Sequence, residues 1–183
     1  MKNLLHPSPG VGFEQPFEML VACHDRVRRS LALLGRLLDH VERHGHDAKS
    51  RSAARDVLRY FELAAPHHHE DEERHVFPRL LAGGDAALVQ AVRRLRADHE
   101  RLAALWARLR PVLQAWAGDT AAGAAGAAFR DDARAFQALY DEHIPLEERL
   151  VFPAARSMCD ETALAAMGGE MQSRRRDGTT MPQ

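Results

Sequence analysis

The chain has 183 residues, 45% of them apolar and 28% charged, with a formal net charge of −1. That length and balance describe one globular domain with a sizeable core and exclude disordered, collagen-like or membrane-embedded compositions. With no net field, nothing draws the chain to nucleic acid or to an anionic bilayer. The two cysteines lack any CxxC spacing and read as free thiols of a reducing compartment.

Residues 1–15, with Pro7, Pro9, Gly10 and Gly12, read as an extended arm. Its two-leucine apolar stretch is far short of a signal-peptide core, and no later apolar run reaches bilayer length. A cytoplasmic location is therefore expected. Pro16 suits a first helical position, because its missing N–H would be unsatisfied there anyway. From Leu20 through His24, Val27, Leu31, Leu34 and Leu38 to Val41, spacings of three and four predict a helix to about residue 44. A second helix is predicted over about 50–81, ending at "AGGD", and a third over about 85–117. The third keeps the same rhythm from Leu88 through His99 to Trp116. A small-residue connection leads into a fourth, about 127–157, with Phe129, Phe136, Leu139, His143, Glu147 and Leu150 along one side. Pro66, Pro111 and Pro145 fall within these helices and predict kinks. The fold expected is all-α: an antiparallel up-down-up-down four-helix bundle over residues 16–157, followed in 158–183 by a short extra helix and a frayed tail.

The polar knot "APHHHEDEERHVFP", residues 65–78, sits in the second helix and is repeated in part. Shifting the sequence by 75 positions lays His24 on His99, His68 on His143 and Glu72-Glu73-Arg74 on Glu147-Glu148-Arg149. The same shift lays Val76-Phe77-Pro78 on Val151-Phe152-Pro153. His67, His69 and His75 fall on Glu142, Ile144 and Leu150, so among the crowded histidines only His68 has a histidine counterpart. Counted outward from the turns at 1.5 Å per residue, the six groups His24, His68, Glu72, His99, His143 and Glu147 reach one level. Each His-x-x-x-Glu pair places imidazole and carboxylate on one helix face. On an apolar seam an unpaired carboxylate is costly, and a pair of divalent cations removes that cost. His68 and Glu72 are thus expected to face inward as ligands, with Glu70 and Asp71 toward solvent and His67 and His69 either exposed or just behind the ligands. His40, His44 and His46 lie far along the first helix and read as a solvated helix end. Glu73 and Glu148 either pair with neighbouring arginines or hydrogen-bond the ligand shell.

"CHDRV" with "HHEDEERHVFP", then "DHERL" with "DEHIPLEERLVFP", resembles the hemerythrin-like (HHE cation-binding) family over about residues 16–157. The resemblance implies a four-helix bundle around a non-haem di-iron centre held by His24, His68, Glu72, His99, His143 and Glu147, with the two glutamates bridging. Ligand type alone leaves manganese and zinc open as well as iron. Oxygen-carrying members have a further histidine one turn after the third-helix ligand, where this chain has Ala103, and end in His-x-x-x-x-Asp instead of His143-x-x-x-Glu147. Iron–sulfur repair members carry a cysteine-bearing N-terminal module, and residues 1–15 contain no cysteine. The function expected is therefore di-metal binding with oxygen, nitric oxide or peroxide as the small ligand, or iron buffering. An oxo or hydroxo bridge would leave about two open positions on the metal pair. A di-iron oxidase or peroxidase, or a bundle with a structural metal only, are the alternatives.

Overall fold

The computed structural model describes residues 11–118 and 126–177. Most of the expected arm, the 119–125 connection and the last residues of the tail lie outside them. The described residues form five helices and no strand. Helix α1, Pro16–His44, starts on its proline and stops at Gly45, whose N–H still bonds the carbonyl of Val41 and whose positive φ of 75° then turns the chain out of the helix. Asp47 then caps helix α2: its carboxylate accepts from the N–H groups of Lys49 and Ser50, and the Ser50 hydroxyl accepts from the Asp47 N–H. Helix α2 runs over 48–83, α3 is Ala86–Ala117 behind an Asp85 cap, α4 runs over 127–157, and α5 is Glu161–Asp177.

Helices α2 and α4 contain wide π turns at Tyr60–Ala64, Glu72–Val76 and Glu147–Val151. Each closes two residues before a proline: Pro66, Pro78 and Pro153. A proline cannot donate to the carbonyl four residues back and its ring presses on it, so a widened turn just upstream makes room. The extra residue also shifts the inward stripe. Leu150, expected on the inner side, is 39% exposed, and Val151 is fully buried in its place. On α1, Leu37 takes the inner position expected of Leu38.

Helix α3 packs against α2 and α4, α1 packs against the same two, and α5 lies across α1. The core is in two parts. One is built from the second half of α1 together with Phe61, Leu109, Leu113, Trp116 and Phe136. The other gathers Phe17, Leu20, Phe77, Leu80, Leu95 and Phe152 with Met167 and Met171 of α5. Between them lies a layer of buried histidine and carboxylate side chains. Among the described residues, no helix is long and apolar enough to cross a membrane.

Candidate metal centre

The structure brings all six side chains named from the repeat into that layer. His24, His68, Glu72 and Glu147 each place one ligand atom within 4.8 Å of the others. So do His69, Glu72, His99 and His143. The carboxylates join the two groups. Glu72 turns Oε1 to His68 Nε2 (3.3 Å) and Oε2 to His99 Nε2 (3.4 Å). Glu147 turns Oε1 to His143 Nε2 (2.9 Å) and Oε2 to His24 Nε2 (3.1 Å).

Within the protein these groups are badly matched. Both oxygens of Glu72 and of Glu147, and Nε2 of His24, His99 and His143, are buried without a hydrogen-bond partner. Buried polar atoms are rarely left so, because each forfeits its hydration. Two carboxylates facing each other with only imidazole lone pairs around them suit a pair of cations, and the residues fit that filling. Burial alone pushes Glu72 up, but His68 and His99 outweigh it and hold its carboxyl well below the usual range. Burial, reinforced by the charge on Glu72, pushes Glu147 well above it. Burial drives His68 down to about 3 and lowers His143 and His69, so these rings are neutral and their lone pairs available. Burial opposes protonation of His24 and His99 too, yet Glu147 for the first and Glu72 for the second raise them.

The second glutamate of each Glu-Glu pair reaches across to the other repeat. In the tautomer that leaves Nε2 free, His24 donates from Nδ1 to Glu148 (2.9 Å), and His99 donates from Nδ1 to Glu73 (2.8 Å). Arg28 in turn donates twice to Glu148. The phenylalanines of the two Phe-Pro pairs cross over in the same way: Phe152 stacks on His24 and Phe77 on His99, at centroid distances of 5.4 and 5.6 Å. Asp98 Oδ2 lies 3.7 Å from His143 Nδ1.

One expectation about the knot is overturned. Asp71 does not face solvent: it is fully buried and ion-paired with Arg174 and Arg175 of α5. Glu70 is half-buried, between Arg74 and Arg174. His69 also turns inward, its ring stacked on His99 at 4.0 Å. Neighbours in a helix point about 100° apart, and α2 has two partners, so His68 faces His24 of α1 while His69 faces His99 of α3. The repeat could not find His69, because its counterpart is Ile144. His75 is bound to Glu170 of α5 (2.6 Å), away from both groups. At the far end, His40 pairs with Asp47 and His46 with Ser50, which ties them to the α2 cap.

The profile of the hemerythrin HHE cation-binding domain matches residues 15–155. An uncharacterized protein of Haemophilus influenzae is 32% identical over 178 residues, covering 94% of this chain and 97% of its own length. The matched span holds both ligand groups and both crossed glutamates, and the chain belongs to the hemerythrin HHE cation-binding domain family.

Proposed function

We propose that residues 16–157 form an antiparallel, up-down-up-down four-helix bundle holding two iron ions, bridged by Glu72 and Glu147, and that this centre serves oxygen, nitric oxide or peroxide chemistry or iron buffering. The observation that carries the reading is the pair of buried carboxylates, each with one oxygen against each histidine group. The order of helix neighbours and the short connections favour the up-and-down topology. Six convergent side chains shared between two positions suit a bridged pair better than one tetrahedral zinc. Buried Cys23 and Cys159, neither in a disulfide, agree with a cytoplasmic setting.

Bound iron would supply the one-electron changes and the open positions that a small ligand needs. The chain's own contribution is positional. His68 and His143 present neutral nitrogens. Glu148 and Glu73 hold the tautomers of His24 and His99, and the stacked Phe152 and Phe77 cover one face of each of those rings. Elemental analysis of tag-free protein purified without chelators tests the reading. About two irons per chain is expected, and His68→Ala or His143→Ala should lower metal content and melting temperature together. One zinc per chain, or full stability with no metal, would overturn it.

A further inference from the structure

We propose that His69 is an additional metal ligand, which makes the two metal positions unequal: His69, His99 and His143 on one, His24 and His68 on the other. The inference rests on the di-metal reading above and deepens it.

Four observations carry it. The His69 Nε2 atom is buried and has no hydrogen-bond partner. It belongs with Glu72, His99 and His143 in one group of ligand atoms within 4.8 Å. Its ring lies nearly parallel to His99, 14° between planes, and 6.0 Å from His143, so the three imidazoles share one pocket. The fourth is a comparison within the chain. The repeat places Ile144 where the first half has His69, and Ile144 is 3% exposed in the apolar core. An isoleucine therefore satisfies that place as packing, whereas a histidine there strands a nitrogen unless something binds it. By donor count the additional nitrogen takes one of the two positions left open before, leaving a single position for an outside molecule, on the His24–His68 side.

The test is an anaerobic ferrous iron titration of the full chain, comparing wild type with His69→Phe and His67→Ala. Phenylalanine keeps an aromatic ring against His99 and removes the ring nitrogens, so a purely packing role would leave metal loading unchanged. Expected is about two irons for wild type and His67→Ala, with the second iron weakened at least about tenfold in His69→Phe. Proton NMR of diferrous wild-type protein should show five contact-shifted imidazole N–H resonances. That measurement decides the matter even if the variant does not fold. Four such resonances, or both irons held by His69→Phe at wild-type affinity, would overturn the assignment while leaving the di-metal reading intact. Wild-type protein that takes up no iron would overturn both.

Discussion

At the residue scale the centre is built from crossed pairs. His24 belongs to the first repeat and is held by Glu147 and Glu148 of the second; His99 belongs to the second and is held by Glu72 and Glu73 of the first. Neither half can complete its own site, so the duplicated sequence operates as one unit. The two supports differ in charge. Glu148 is anchored and partly neutralised by Arg28, while Glu73 is 47% exposed on its side chain. A carboxylate behind a ligating imidazole makes the ring a stronger donor and fixes its tautomer. Glu148→Gln and Glu73→Gln should therefore each weaken iron binding by about 10–100-fold with the fold retained, as read by competition with a ferrous chelator. Unchanged affinity in both would reduce these glutamates to surface partners.

At the element scale the wide turns and the last helix do the positioning. The π turns at Glu72–Val76 and Glu147–Val151 begin on the two inward carboxylates and end just before the Phe-Pro pairs. Truncating Phe152 (3% exposed) to Ala should cost about 3–5 kcal/mol in urea unfolding and loosen His24 with it. Helix α5 is clamped by Arg174 and Arg175 on Asp71 and by Glu170 on His75. Ending the chain before α5 removes both arginine partners of Asp71 and takes Met167 and Met171 out of the core, and should lower the melting temperature. The Glu170 pair also has a pH signature. Hydrogen bonding from Arg174, then from His75, lowers the Glu170 carboxyl from 4.5 to about 2. Its contribution is complete above 4.5 and is lost as pH falls toward about 2. Wild-type stability should decline in that window, and Glu170→Gln should flatten the decline in acid-unfolding curves. Within α5, a Cβ on Gly168 would sit 1.8 Å from the carbonyl oxygen of Phe13. Gly168→Ala should therefore displace the segment entering α1 and lower the melting temperature.

At the scale of the whole molecule, the polar layer divides the core in two. The apolar clusters on either side hold the helices together. The layer between them leaves carboxylate oxygens and imidazole nitrogens unmatched inside the protein. Cations that bind only the folded chain stabilise it by mass action, by about 2.7 kcal/mol at a hundredfold excess over Kd. For a chain of this length, that corresponds to a melting temperature roughly 5–10 °C higher with metal than after chelation. Calorimetry before and after chelator treatment measures it. A melting temperature that chelation does not change would mean that the layer is satisfied by the protein itself.

Helical periodicity and a duplicated spacing were enough to place the helices and to pick out His24, His68, Glu72, His99, His143 and Glu147, because the first is a property of residues a few positions apart and the second a match between two stretches of sequence, neither needing the packing. The π turns were not legible, since a wide turn is recognised by its carbonyl partner and not by composition, and Leu150 and Val151 exchanged places as a result. Asp71 read as solvated until α5 brought two arginines to it from about a hundred residues away. His69 was set aside for lacking a counterpart, yet its direction depends on which helix lies beside α2. Local spacing thus determined which residues share a face; only tertiary packing decided what each face meets, because the neighbours of a helix are chosen by the whole chain's burial and not by the helix itself.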